Sequence, residues 1–129
     1  MRLLLDTHLL LWALGEPRRL SAKILDRLED PANTILFSTA SIWEISIKAG
    51  LKRADFAVAP TRIYQEAVAI GFTELLLSAS AALRVADLPH HHRDPFDRLL
   101  VAQAVDEPAI LLTANAQLTA YSGLVECVR

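Results

Sequence analysis

The chain has 129 residues, of which 53% are hydrophobic and 22% charged, a composition that suits one folded domain and excludes a disordered chain. Its net charge is −2, from 13 basic and 15 acidic residues, which excludes a strongly basic nucleic-acid-binding protein. Any contact with a nucleic acid must therefore come from local clusters of basic side chains.

Cysteine content and hydropathy indicate in which cellular compartment we expect the protein. Cys127 is the single cysteine, so the chain forms no internal disulfide and does not require an oxidising environment. The apolar start is interrupted at Asp6 and His8, too early for the core of a signal peptide. No apolar run approaches the roughly 20 residues that cross a bilayer. We therefore expect a cytoplasmic protein without a membrane partner.

The first half of the chain predicts strands that alternate with helices. A short apolar run that stops at Asp6 indicates a buried strand. Ser21 is a suitable N-cap for the second helix, and either Ser38 or Thr39 for the third. The predicted elements are a strand over 3–5, a helix over 7–14, a helix over 21–30, a strand over 34–37 and a helix ending near Gly50.

The second half continues the same alternation. Asp94 followed by Pro95 is a strong helix start, because Asp caps well and Pro suits the first helical position. The apolar residues of that helix fall on one face; they are Phe96, Leu99, Leu100 and Ala104. The other predicted elements are a helix over 60–71, a strand over 72–77, a helix over 78–87, a loop over 90–93, a strand over 109–112 and a fifth strand over 124–128.

This order of elements predicts an α/β fold: one domain over residues 1–129, with a parallel central sheet of four to five strands flanked by helices. In such sheets, sites form outside the carboxyl ends of the strands. The residues that directly follow each apolar run are therefore the candidates for function.

Polar and acidic side chains occur at these positions in separate segments. Asp6 follows the first strand, and Thr113 and Asn115 follow the fourth. The others lie in helices next to these strands: Glu44 lies one turn into the helix after the second strand, and Asp94 and Asp97 lie at the start of the helix before the fourth. Carboxylates brought together repel one another, and a divalent cation relieves the repulsion. Mg²⁺ prefers oxygen ligands and is usually held by one or two carboxylates.

Three of these acids have simpler structural interpretations when each is taken alone. Asp6 could cap the helix that begins at Thr7, and Asp94 could cap the helix that begins at Pro95. Asp97 could complement the dipole of that second helix. The joint placement of the acids at one sheet edge is what favours a functional interpretation.

Glu44 also has two structural alternatives. With Ser41 it fits the Ser-x-x-Glu capping box. It could equally form an ion pair with Lys48, one helical turn further along.

Histidine and tryptophan invite functional interpretations that the sequence supports less well. The run over 90–92 contains three adjacent histidines, which cannot easily ligate one ion together, so we predict a solvated turn. We predict that Trp12 and Trp43 are core or interface anchors rather than platforms for stacking bases.

At this point the sequence resembles VapC-type toxins with a PIN domain, over nearly the whole chain. The resemblance rests on four motifs, of which the third is the most specific. They are Leu5-Asp6-Thr7-His8 followed by residues 11–14, Ser41-Ile42-Trp43-Glu44-Ile45 with Lys48, residues 88–100, and Leu111-Leu112-Thr113-Ala114-Asn115.

The resemblance implies a PIN fold and hydrolysis of RNA that depends on Mg²⁺ or Mn²⁺ and leaves a 5′-phosphate. It also implies a cognate antitoxin and a homodimer. Asp6, Glu44 and Asp97 would be the acidic triad that binds metal. Asp97 is favoured over Asp94 because the family acid directly precedes a stretch like that over 98–104; Asp94 would be a cap, an outer group or an extra ligand.

The chain departs from the family pattern at Asn115, where the family often has Asp. The amide oxygen can still ligate a cation or orient a water, but it brings no negative charge. This departure supports a second hypothesis, a PIN-fold module with weakened catalysis that acts by binding RNA or antitoxin. A nucleotide-binding or receiver-like domain is a poorer third, because the chain has four glycines and no glycine-rich phosphate loop.

Two further predictions concern partners. Arg93 and Arg98 are candidates for phosphate contact, with helix-surface salt bridges as the alternative. The apolar stretch 9–14 and the helix over 21–30 could form a groove for an antitoxin helix.

Overall fold

The computed structural model describes residues 1–128, and of residue 55 the backbone alone. Within that range the strands form one five-stranded sheet of order β3-β2-β1-β4-β5, and all four pairings are parallel. The strands are β1 (Arg2–Leu5), β2 (Thr34–Ser38), β3 (Thr73–Leu75), β4 (Ile110–Thr113) and β5 (Val125–Cys127). The predicted parallel sheet is confirmed, and the fifth strand is present.

The helices within residues 1–128 lie between these strands, as the alternation predicted. They are α1 (Thr7–Gly15), α2 (Ala22–Glu29), α3 (Thr39–Gly50), α4 (Pro60–Ala69), α5 (Ala79–Arg84) and α6 (Pro95–Asp106). Short 3-10 turns cover 17–19, 54–56, 85–87 and 116–120. The described helices include none that is long and apolar enough to cross a membrane.

The central strand β1 divides the core into two layers. Leu3 and Leu5 belong to one buried cluster and Leu4 to the other, because successive side chains of a strand point to opposite faces. Burial on both faces explains why the strand is a continuous apolar run in the sequence rather than an alternating one.

Two elements are shorter than predicted. The third strand ends at Leu75 rather than at residue 77, since the Leu77 amide donates to the Thr39 hydroxyl (3.1 Å) instead of to a neighbouring strand. The helix predicted over 78–87 ends at Arg84 and continues as a 3-10 turn.

Helix caps set where each helix begins. Ser21 caps α2 as predicted, and of the two candidates for α3 it is Ser38 that caps, by accepting a bond from the Ala40 amide (2.9 Å). Asp94 caps α6. On the predicted apolar face of that helix, Leu100 and Ala104 are buried, whereas Phe96 and Leu99 are half-buried.

Candidate active site

The carboxyl ends of β1 and β4 open onto a cleft. The Asp6 amide continues the sheet by donating to the Leu112 carbonyl (3.0 Å), so the residue after β1 lies beside the end of β4. The cleft has a volume of about 360 Å³. Its lining residues are Asp6, His8, Trp12, Asp97, Ala114, Asn115 and Ala116.

Asp6 is the most firmly held acid of the cleft, with 5% of its surface exposed. One oxygen accepts from the Leu9 amide (2.8 Å) and so caps α1. The other accepts from the Thr113 hydroxyl (2.7 Å) and the Ala114 amide (3.2 Å). Burial raises the pKa of Asp6 despite the opposing effect of these bonds. A carboxylate has about four acceptor sites, so these three donors leave room for a cation.

Glu44 lies on α3 and is buried, with 3% exposed. Its carboxylate accepts from the Thr7 hydroxyl (2.6 Å) and pairs with the Lys48 ammonium (2.6 Å). The ion-pair alternative is thereby confirmed. The capping-box alternative is wrong, because α3 begins at Thr39 and Ser41 lies inside the helix. The ion pair neutralises Glu44, which makes its burial tolerable.

Asp97 lies in the first turn of α6 and lines the same cleft. Burial, and then the negative charge of Asp94, raise its pKa to about 6, with smaller contributions from Asp6 and Glu44. A hydrogen bond to the His92 ring (2.9 Å) acts in the opposite direction. The fold thus brings all four acids within electrostatic reach of one another.

Asp94 acts as the predicted helix cap. One of its oxygens accepts from the Phe96 amide (2.8 Å) and the Asp97 amide (3.1 Å). A ligand atom of Asp94 also lies within 4.8 Å of ligand atoms of His92 and Asp97. Asp94 therefore orients the start of α6 and adds negative charge beside the cleft.

Asn115 lies on the wall of the cleft formed by the chain after β4. Its side-chain oxygen accepts from the Gln117 amide (3.0 Å) and caps the 3-10 turn over 116–120. Its own amide donates to the Thr113 hydroxyl (3.0 Å), which in turn donates to Asp6. The residue is thus tied to the acidic cluster, although it adds no charge to it.

The expectation of a solvated turn is wrong for His92. Its ring is half-buried and lies 2.9 Å from the Asp97 carboxylate and 3.1 Å from the side-chain oxygen of Gln117. His90 and His91 are exposed, as expected. The sequence signal that could have singled out His92 is its position five residues before Asp97, just ahead of the Asp94-Pro95 helix start.

The two tryptophans have different environments. Trp12 is buried and lines the cleft. Trp43 is 58% exposed and packs edge-on against the ring of Phe96, with ring centres 5.3 Å apart. Trp43 is therefore not a core anchor, and its role as an interface anchor, the other alternative, stays a prediction.

The arginines predicted to contact phosphate also differ. The Arg98 guanidinium donates to the main-chain carbonyls of Val85 (3.2 Å) and Leu88 (3.1 Å). It therefore has a structural role in holding this segment against α6. Arg93 is exposed.

The donor set fits a hard divalent cation. Asp6 and Asp97 present carboxylate oxygens to one cleft, and burial raises the pKa of each, so a bound cation would favour the ionised form of both. Oxygen ligands of this kind are those that Mg²⁺ and Mn²⁺ prefer.

Fold and site together define a class: a parallel α/β domain with an acidic cleft at the carboxyl edge of its sheet. The family model described as PIN domain matches residues 3–124, and the chain belongs to that family. The chain is similar to ribonuclease VapC22 of Mycobacterium tuberculosis, with 28% identity over 119 residues, 92% of this chain and 90% of that protein.

Two solved structures have the same fold. One is VapBC2 from Rickettsia felis bound to a DNA fragment from its promoter, with a TM-score of 0.73, 18% identity and 98% of each chain covered. The other is VapBC-1 from nontypeable Haemophilus influenzae, with a TM-score of 0.67, 16% identity, and 98% of this chain and 97% of that one covered.

Proposed function

We propose that the chain is a metal-dependent endoribonuclease, the toxin component of a type II toxin–antitoxin pair. The observation that carries the proposal is the convergence of Asp6, Glu44 and Asp97 on one edge of the sheet, in a chain of the PIN-domain family. The similarity to ribonuclease VapC22 supports RNA as the substrate.

In this proposal, Asp6 and Asp97 bind Mg²⁺ or Mn²⁺ directly, and Glu44 acts indirectly by orienting water and ligands. When bound, the cation supplies charge neutralisation for a phosphodiester and activation of a water. Asp6 is held by donors on both of its oxygens, so it needs little reorganisation to bind. Asp97, whose pKa is raised to about 6, is mostly ionised at neutral pH and can therefore bind the cation as a carboxylate.

Glu44 has both carboxylate oxygens engaged, by Thr7 and Lys48. Because the Lys48 ammonium also offsets the charge of Glu44, we propose that Glu44 orients water and ligands rather than binding the cation directly. Asn115 shapes the wall of the cleft from the chain after β4. Asp94 stays a helix cap whose charge strengthens cation binding.

The proposed partners are an antitoxin and a second copy of the chain. An apolar hollow of about 490 Å³ suits an antitoxin helix, and α1 and α2 contribute to it together. Its lining residues are Ala13, Pro17, Leu25, Leu28, Glu29, Ile70 and Phe72. The structures of similar fold are VapBC proteins, which supports such a partner. A cytoplasmic location is part of the proposal.

Cleavage of total RNA tests the proposal. Purified chain, free of antitoxin, is incubated with total RNA in Mn²⁺, in Mg²⁺ and in chelator. We expect cleavage that needs the metal and is lost in Asp6→Asn. Asp26→Asn is the matched control, since it removes an exposed carboxylate on α2. Cleavage that persists in chelator or in Asp6→Asn would contradict the proposal.

A second candidate function is a binding module with weakened catalysis, and Asn115 is the observation that favours it. For such a module we expect no cleavage of a broad RNA pool, together with RNA binding that is the same in Mn²⁺ and in chelator. Asn115→Asp then decides between the two. The variant keeps the oxygen that caps the 3-10 turn and adds the missing charge, so restored cleavage would identify a nuclease that lacks one ligand.

A further inference from the structure

We propose that His92 is a positioning residue whose ring holds the Asp97 carboxylate in the cleft and braces it against the turn that follows β4. The inference rests on the proposed function, in which Asp97 binds the cation. It adds a residue outside the acidic triad to the machinery of the site.

The ring of His92 joins two walls of the cleft. One ring nitrogen, Nε2, lies 2.9 Å from Oδ2 of Asp97, on α6. The other, Nδ1, lies 3.1 Å from Oε1 of Gln117, in the turn over 116–120. The main-chain amide of Gln117 donates in turn to the side-chain oxygen of Asn115, which lines the cleft together with Asp97. A single imidazole therefore contacts both walls.

The ring is not needed to hold its own loop in place. The main-chain amide of His92 donates to the Tyr121 hydroxyl (2.9 Å), and that hydroxyl donates to the His92 carbonyl (3.3 Å). These bonds anchor the loop independently of the imidazole. The contacts of the ring with Asp97 and Gln117 are therefore not required to anchor the loop, and they can position the Asp97 carboxylate.

Asp97 is the acid that most needs such a restraint. Its side chain is 22% exposed, and the negative charges of Asp94, Asp6 and Glu44 all act on it. Repulsion of this kind favours a rotamer that turns the carboxylate toward solvent. One hydrogen bond from His92 opposes that rotation and occupies one oxygen, and the other oxygen can still ligate a cation. Partners of metal ligands commonly act in this way.

Two substitutions separate the two ring contacts. His92→Gln keeps an amide near the position of Nε2, so it retains the bond to Asp97. His92→Asn keeps an amide near the position of Nδ1, so it retains the bond to Gln117 and loses Asp97. We expect Mn²⁺ affinity, measured by calorimetry, to fall about 10–100-fold in His92→Asn and to recover largely in His92→Gln.

The melting temperature of each variant shows whether the fold is intact. His91→Asn is the control, since it changes an exposed histidine of the same loop, and we expect its Mn²⁺ affinity to match the wild type. Equal Mn²⁺ affinity in wild type and His92→Asn would overturn the inference. So would a collapse of the melting temperature in His92→Asn, because the ring would then be structural.

The same titration distinguishes failure of this inference from failure of the proposed function. If the wild type binds Mn²⁺ and Asp6→Asn does not, the proposed metal site is supported, whatever the Mn²⁺ affinity of the His92 variants. If the wild type binds no Mn²⁺, the proposed function and the inference both fall.

Discussion

At the scale of single residues, structural and functional interpretations of the acids are compatible. Asp6 caps α1 with one oxygen and binds the chain after β4 with the other. Asp94 caps α6 and also raises the pKa of Asp97. A carboxylate has two oxygens and a charge, so one side chain can complete a helix end and still shape the field of a cleft.

Asp97→Asn should stabilise the metal-free fold at pH 7.5. The pKa of Asp97 is raised to about 6, so its contribution to stability is present at low pH and is lost as the pH rises through 6. A neutral amide of equal size removes the cost of the buried charge, by about 1–3 kcal/mol. Thermal melts without metal should show a higher melting temperature for the variant at pH 7.5 and a smaller difference at pH 5.

Asp26→Asn, on the exposed side of α2, should leave the melting temperature unchanged at both pH values. A lower melting temperature of Asp97→Asn at pH 7.5 would mean that the bond to His92 outweighs the repulsion among the acids.

At the scale of elements, the start of α6 positions the site. The Asp94 cap and Pro95 place Asp97 in the first helical turn, where the helix dipole favours a negative charge. The preceding segment is held by Arg98, which donates to carbonyls of the 3-10 turn over 85–87 and of Leu88. A guanidinium is suited to this task because its planar donors can reach two acceptors at once.

Arg98→Ala should destabilise the fold by about 1–3 kcal/mol, since it leaves the carbonyls of Val85 and Leu88 without their charged donor. Arg93→Ala is the matched control, because Arg93 lies in the same motif and is exposed; its effect should stay within about 0.5 kcal/mol. Urea unfolding measures both. Equal midpoints for Arg98→Ala and the wild type would show that these bonds contribute nothing to stability.

At the scale of the whole molecule, α3 carries an apolar stripe on its outer face. The stripe consists of Trp43 and Ile47 on α3 and Leu51 directly after its last residue; all three are exposed and spaced four residues apart. The helix presents Glu44 inward to the cluster of acids.

Ile47→Glu should disrupt the proposed homodimer, because it introduces a charge at the middle of the stripe. Light scattering at several concentrations should give a dimer for the wild type and a monomer for the variant. Val68→Glu on α4 is the control, since Val68 is also an exposed apolar side chain, and it should leave the dimer intact. A wild-type chain that is monomeric at every concentration would rule out the homodimer.

Much of the fold could be predicted from the sequence, because its signals are local. The run Leu3–Leu5, the Ser21 cap and the Asp94-Pro95 helix start each depend on residues within one turn of one another. One error came where a distant group intervened. The third strand was predicted too long because Leu77 bonds to Thr39, 38 positions earlier in the chain.

The sequence by itself determined the alternation of strands and helices, and it placed Asp6, Asp94 and Asp97 at strand and helix ends. Only the tertiary structure decided what each acid contacts: Asp6 with Thr113, Glu44 with Thr7, and His92 with Gln117. The physical reason is that hydrophobic periodicity and capping act over a few residues. These contacts instead depend on the order of strands in the sheet, which sets β1 beside β4 although most of the chain lies between them.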